Sequence, residues 1–275
     1  MSYHRILTIQ DISCVGQCSL TVALPILSAC GQETAILPSA VLSTHTGGFT
    51  GYTVRDLTDD IPGIQKHWQK EGITFDAIYT GYLGSKKQIG YVADIFDTMA
   101  PGGRIIVDPA MADNGKLYWG FDEEYAKEMG KLCAKADVIL PNISECSFMT
   151  GIEYRETYDE AYVADVLDAL TEIGAKDVVL TGISYDPQTT GVVVRENGNV
   201  SYYRHEKVGR SYHGTGDIYS SAFVGSWMSG KTMQEAAKIA ADYTLQSILN
   251  TVEDESHWYG VKFESAIPVL VDALR

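Results

Sequence analysis

Arg5-Ile6-Leu7-Thr8-Ile9-Gln10 is an apolar run of strand length, and a polar, glycine-containing loop and a helical stretch from about Gln17 to Ala29 follow it. This strand–loop–helix unit recurs along the chain. Ala77–Thr80 reads as a strand followed by a helix over Lys87–Met99, and Arg104–Val107 as a further strand. Val138–Leu140 reads as a strand followed by a helix over Ser144–Thr150, and Val178–Leu180 as another strand. Strands alternating with helices predict an α/β fold with a mostly parallel sheet covered on both faces. Gly191–Arg195 and Val200–Arg204, joined through Asn197-Gly198, predict an antiparallel hairpin. Three helical stretches close the chain, at about Gly216–Ser229, Met233–Val252 and Glu264–Leu274.

The 275 residues, 45% of them hydrophobic, can bury a sizeable core, and no repeat or proline-rich linker marks a boundary. One domain over 1–275 is therefore the expectation. A formal charge of −15 and the lack of any Lys/Arg cluster argue against nucleic-acid or anionic-membrane partners. Five cysteines, an odd number, suit a reduced cytoplasmic setting better than a disulfide framework. Cys14 and Cys18 lack the second ligand pair that a metal site needs. The uncharged stretch Ile12–Gln32 is too polar to span a bilayer, and Asp11 stands where a signal peptide carries positive charge.

Ligands of open α/β sheets bind outside the carboxyl ends of the parallel strands. Those ends read Gln10-Asp11, Thr80-Gly81-Tyr82, Asp108-Pro109, Pro141-Asn142 with Glu145 one turn later, and Thr181-Gly182. Such a rim suits phosphates, a cation and a polar ring.

His213-Gly214-Thr215-Gly216-Asp217 runs into a helix of small residues. A helix start offers unpaired amides and positive potential to an anion, and glycines let the anion approach closely. Asp217 in the first turn can then accept the proton of an acceptor hydroxyl during phosphoryl transfer, as against merely capping the helix. Asp108 and Glu145, with Asp113 as a third candidate, can hold Mg²⁺ directly or through water, as against capping helices or standing solvated. Ser43–Tyr52, rich in hydroxyls, glycine and aromatics, suits either a mobile loop over a flat ligand or a generic turn. Tyr82 can stack on an aromatic ring or pack in the core.

These residues, taken in order, resemble the pyridoxal (vitamin B6) kinases of the ribokinase-like superfamily. The motifs are Ile9-Gln10, Ser43-Thr44-His45-Thr46-Gly47, Thr80-Gly81-Tyr82-Leu83-Gly84-Ser85, Asp108-Pro109, Pro141-Asn142-Ile143-Ser144-Glu145, Val179-Leu180-Thr181 and Gly214-Thr215-Gly216-Asp217. The resemblance implies a three-layer α/β/α sandwich, a homodimer, and transfer of the ATP γ-phosphoryl group to the 5′-hydroxymethyl of pyridoxal, pyridoxamine or pyridoxine. It implies Asp217 as base, Gly214 and Gly216 as anion hole, and Thr46 and Tyr82 at the vitamer ring. Asp108, Asn142, Glu145, Thr181, Gly182, Lys207 and Thr215 fall to ATP, with Asp113 and Glu145 toward Mg²⁺ and a monovalent cation as a further candidate.

The chain departs from that family at two places. Asp11 stands where those kinases carry serine, so Asp11 or Ser13 would meet the substrate, and an acid there would favour a protonated amine. In Arg204–Tyr212 either Lys207 or Arg210 would meet phosphate. The rival enzyme is a hydroxymethylpyrimidine kinase, a family whose members often carry cysteine where Asp217 stands. The rival from another class is a non-catalytic vitamer- or nucleotide-binding protein of the same fold.

Overall fold

Along the first strand, Ile6 joins one apolar cluster while Leu7 and Ile9 join another, so both faces of the strand are buried. That two-sided burial organises the chain. The computed structural model describes residues 3–209 and 212–275, and Arg210 lies outside the described residues. The elements are β1 (Arg5–Ser13), α1 (Leu20–Ala29), β2 (Glu33–Leu42), β3 (Val54–Asp56), α2 (Ile61–Lys70), β4 (Ala77–Thr80), α3 (Lys86–Met99), β5 (Arg104–Val107), β6 (Ala112–Asp113) and β7 (Lys116–Leu117). They continue with α4 (Glu123–Cys133), β8 (Val138–Ile139), α5 (Ile143–Thr150), α6 (Glu160–Glu172), β9 (Asp177–Asp186), β10 (Thr189–Glu196), β11 (Asn199–Glu206), α7 (Thr215–Met228), α8 (Met233–Leu249) and α9 (Ile267–Leu274).

The main sheet has nine strands in the order β11-β10-β9-β8-β5-β4-β1-β2-β3. The run from β9 to β2 is parallel throughout, and antiparallel strands flank it on both edges. Helices α2 to α6 cover one face with residues such as Phe96, Met129 and Leu167. Helices α1, α7, α8 and α9 cover the other with Ile26, Phe223, Tyr243 and Leu270. The α/β three-layer expectation therefore holds, and the Asn197-Gly198 hairpin forms as read.

Several boundaries move. Strand β1 runs on to Ser13, and helix α1 starts at Leu20 because Ser19 takes φ +55°, outside the helical region. Strand β9 continues to Asp186 because β10 pairs alongside it. Strand β2 carries Pro38, which interrupts the apolar pattern. The parallel register accommodates Pro38 opposite Gln10, next to a register shift between Gln10 and Ile12. Helices α2, α4 and α6 escaped the sequence reading, although Asp122 caps α4 and Asp159 caps α6.

The connection from β1 leaves through α1 on one face and that from β4 leaves through α3 on the other, although β1 and β4 are neighbours. A crevice therefore opens at their carboxyl ends, where chains diverge to opposite faces.

Gly191 in β10 lies against β11 so closely that a Cβ would stand 1.9 Å from the Tyr203 carbonyl oxygen. Gly191→Ala is expected to lower unfolding stability by about 1–3 kcal/mol through overpacking. Urea denaturation should show this as a lower midpoint with an unchanged slope.

Candidate active site

At the carboxyl end of β1 the Asp11 side chain turns inward. Its Oδ1 accepts the Ser19 hydroxyl at 2.5 Å and its Oδ2 the Ser13 hydroxyl at 3.0 Å. Asp11, Ser13 and Ser19 are all buried. The backbone N–H of Ser19 donates to Asp217 Oδ2 at 3.0 Å, which joins the β1–α1 turn to the start of α7.

Helix α7 begins at Gly214, whose φ of +77° no other residue adopts easily, and Ile218 N donates to the Gly214 carbonyl as the first helical bond. A Cβ on Gly214 would stand 1.7 Å from the Gln17 carbonyl oxygen, so the glycine also lets the two turns meet. Among the described residues nothing lies within 4 Å of where a Cβ of Gly216 would stand, so the first turn of α7 is uncrowded at that position. Thr215 directs its hydroxyl to the Tyr212 carbonyl at 3.3 Å.

Asp108 follows β5 and accepts the Ser220 hydroxyl of α7 at 2.7 Å. Burial pushes its carboxyl up to about 6. Burial likewise pushes Asp217 up to about 7, with the charges of Asp108 and Asp11 adding to the rise and the Ser19 amide opposing it. Glu145 is raised by burial and by Asp108, although backbone amides of Asn142, at 2.8 Å, and Met111, at 3.2 Å, bind its two oxygens. Among the described residues none of these acids forms an ion pair with Lys or Arg.

The nucleotide-side candidates have structural partners too. Asn142 caps α5 through a reciprocal pair with Glu145 and donates to the Ala112 carbonyl at 2.9 Å. Thr181 bridges to Asn142 in parallel and donates to the Pro141 carbonyl at 3.2 Å. Gly182 follows with φ +70°. Asp113 is exposed in the β6–β7 ribbon and accepts the Asn114 amide at 2.9 Å. Lys207 is exposed, with its amide on the Gln188 carbonyl at 2.8 Å, and no salt bridge or hydrogen bond of the described residues ties its ammonium to this acid cluster.

On the acceptor side, Tyr82 stacks on Phe121 at 5.5 Å and 30°, and Phe121 on Tyr125 at 3.9 Å and 7°. Burial and the charge of Asp11 push the Tyr82 phenol up to about 12. The Ser43–Tyr52 loop is anchored. His45 Nε2–H donates to the Tyr259 carbonyl at 2.7 Å while Nδ1 accepts the Gly47 amide at 3.1 Å, an assignment of tautomer that both partners require. Phe49 packs on Trp258 at 4.7 Å and His45 on His213 at 5.4 Å. Thr46 is exposed beside that anchor.

Ser19, Phe121 and Tyr118 were not singled out in the sequence. The Tyr118 phenol is raised by desolvation and by the charges of Glu145, Asp113, Asp217 and Asp108, although part of the residue is exposed. A fold in hand was needed to find Ser19 and Phe121, because the Ser19 amide meets Asp217 and Phe121 meets Tyr82 across long sequence separations.

A folded-state value of about 7 for Asp217, against an ordinary 3.8, means that the folded chain binds this proton more tightly than the unfolded chain. The corresponding stability is full below about pH 4 and is lost as pH rises through about 7. The ligand-free melting temperature of the wild type should therefore fall from pH 5 to pH 8 more steeply than that of Asp217→Asn, measured by differential scanning calorimetry.

The family model for phosphomethylpyrimidine kinase matches residues 29–261. The chain is 28% identical over 241 residues to pyridoxal kinase of Dictyostelium discoideum, covering 80% of this chain and 77% of that one. It is 25% identical over 222 residues to a hydroxymethylpyrimidine/phosphomethylpyrimidine kinase of Bacillus subtilis, covering 80% and 78%. Pyridoxal kinase of Lactobacillus plantarum superposes with a TM-score of 0.91 at 30% identity over 98% of this chain and 97% of that one. A Bacteroides thetaiotaomicron protein solved in a form with pyridoxal superposes at 0.90, with 36% identity over 97% and 95%. A ribokinase-like sheet whose loaded end pairs a helix N-terminus with a buried acid fits these relatives, and the chain belongs to the phosphomethylpyrimidine kinase family together with its pyridoxal kinases, as a phosphotransferase that acts on an alcohol.

Proposed function

We propose that the enzyme transfers the γ-phosphoryl group of ATP to the 5′-hydroxymethyl of a vitamin B6 vitamer, with Asp217 as the base. The observation that carries this reading is the placement of the Asp217 carboxylate, held by the Ser19 amide, in the first turn of α7 beside Gly214 and Gly216.

An acceptor hydroxyl in the crevice would give its proton to Asp217 as its oxygen bonds the γ-phosphorus and the bond to the ADP oxygen breaks. The α7 amides meet the charge on the transferred group, and their fixed direction needs no reorganisation as that charge shifts. With its ring backed by Phe121, Tyr82 would offer a flat wall for a pyridine ring, and the anchored His45–Thr46 turn would border the same vitamer. Asp11 and Ser13, hydrogen-bonded to each other at the end of β1, are the further candidates on the substrate side.

The unpaired acid cluster is a donor set of hard oxygens, which fits Mg²⁺. Among the described residues no three His, Cys, Asp or Glu side chains form a metal site by themselves, so phosphate oxygens and water would complete the coordination. Asp108, Asp113 and Glu145 would hold the ion directly or through water, with two backbone amides already bound to the Glu145 oxygens. Bound there, Mg²⁺ supplies neutralisation of phosphate charge. Asn142, Thr181, Gly182, Lys207 and Thr215 remain the candidates for the nucleotide. The homodimer and the cytoplasmic setting belong to the same reading, and no helix among the described residues is long and apolar enough to cross a membrane.

Phosphorylation of hydroxymethylpyrimidine is the second reading, supported by the family model and the Bacillus relative. A coupled ADP-release assay with MgATP against pyridoxal, pyridoxamine, pyridoxine and hydroxymethylpyrimidine separates the two. The highest kcat/KM is expected for a B6 vitamer, and a preference for hydroxymethylpyrimidine would reverse the assignment. Asp217→Asn should lower kcat by about 10²–10⁴-fold while ATP still binds, and near-normal turnover would remove Asp217 as base.

A further inference from the structure

Ser19 stands at the N-cap of α1, where a serine hydroxyl ordinarily accepts an amide of the first helical turn. Here it makes no such cap bond. The hydroxyl turns instead to Asp11 Oδ1 at 2.5 Å, while the amide of the same residue points at Asp217 Oδ2 at 3.0 Å. The backbone at Ser19 has φ +55° and ψ −133°, a conformation that glycine adopts without strain and that serine adopts at a cost. A glycine could donate the same amide to Asp217 and accept the same helix-starting bonds from Val22 and Ala23. What serine adds to offset that strain is the hydroxyl, and its partner is Asp11.

Asp11 is itself immobilised. Its second oxygen takes the Ser13 hydroxyl at 3.0 Å, and its side chain is buried at the register shift that interrupts the β1–β2 pairing between Gln10 and Ile12. The chain Ser13–Asp11–Ser19–Asp217 thus ties the end of β1 to the first turn of α7, which are far apart in sequence.

We infer that Ser19 and Asp11 are positioning residues for the base: Asp11 holds the Ser19 hydroxyl so that the Ser19 amide holds the Asp217 carboxylate toward the acceptor. This rests on the reading of Asp217 as base and gives Asp11 a role other than direct contact with the vitamer. Beyond burial, the charges that raise Asp217 come from Asp108 at the end of β5 and Asp11 at the end of β1, and the neutral thiol of Cys18 and phenols of Tyr79 and Tyr118 feel the same carboxylate. The Ser19 amide opposes both charges, so the pH at which the base ionises reports on the clamp.

The test uses the full chain with MgATP and the vitamer that the wild type turns over fastest, and compares Ser19→Gly, Asp11→Asn and Asp217→Asn. Ser19→Gly relieves the backbone, so its melting temperature should equal or exceed that of the wild type. Its kcat should nevertheless drop by about 10- to 100-fold with KM changed less than about twofold, as a displaced reacting group would give. Asp11→Asn keeps an acceptor for Ser19 and removes a like charge, so the acidic limb of its kcat profile should move to lower pH. A Ser19→Gly enzyme with wild-type kcat and pH profile would overturn the clamp, as would an Asp11→Asn enzyme altered only in its KM for the vitamer. If Asp217→Asn stays active, the base assignment falls and the clamp with it. If Asp217→Asn is inactive and Ser19→Gly is normal, only the clamp falls.

Discussion

Asp11, Asp108, Glu145 and Asp217 converge on one end of a parallel sheet and, among the described residues, form no ion pair with a lysine or arginine; the rest of the site answers to that arrangement. Like charges taken out of water raise one another's proton affinity, and the effect is relieved by hydrogen-bond donors or by a bound cation. The protein supplies donors one by one: Ser13 and Ser19 to Asp11, Ser220 to Asp108, the Asn142 and Met111 amides to Glu145, and the Ser19 amide to Asp217. These donors leave the net charge in place. In the proposed reading a polyphosphate would enter such an acidic crevice with a divalent cation bound to it, and the α7 N-terminus would add positive potential that acidic side chains cannot.

The same donors double as mechanical joints. Asn142 and Glu145 cap α5 and at the same time reach the strand-connecting segment at Met111 and Ala112. Ser220 ties α7 to the end of β5, and Ser19 ties α7 to the end of β1. Helix α7 is therefore fastened to the sheet on both sides of the crevice from which Asp217 projects. On the acceptor side, His45 fastens its loop to the 257–260 segment through Nε2–H and closes the loop's own turn through Nδ1, which together require the neutral imidazole that its burial favours. Rigid elements thus carry the proposed base, and aromatic stacking through Phe121 holds Tyr82.

Much of this was legible in the sequence. The strand ends at Gln10-Asp11, Thr80-Gly81-Tyr82, Asp108 and Asn142 were found because parallel strands buried on both faces are apolar runs, and the first polar residue after each run marks the rim. Gly214 and Gly216 were found because a helix that begins with glycines and an acid has a distinct composition. Strand β2 was missed because Pro38 breaks its pattern, and α2, α4 and α6 because no site residue drew attention to them, although Asp122 and Asp159 are ordinary capping residues.

The sequence by itself determined the α/β class, the rim of polar residues and the helix-starting Gly-Thr-Gly-Asp, since each depends on residues close together along the chain. Tertiary structure alone decided that Asp11 faces Ser19 instead of open crevice, that Asn142 and Glu145 are engaged with each other, and that Phe121 backs Tyr82. The physical reason is that hydrogen bonds and ring stacking act over a few ångströms, and which residues stand that close is set by the order in which β1 and β4 are laid side by side. A serine with φ +55° looks like any other serine in a sequence, and its meaning appears only when both of its partners are in place.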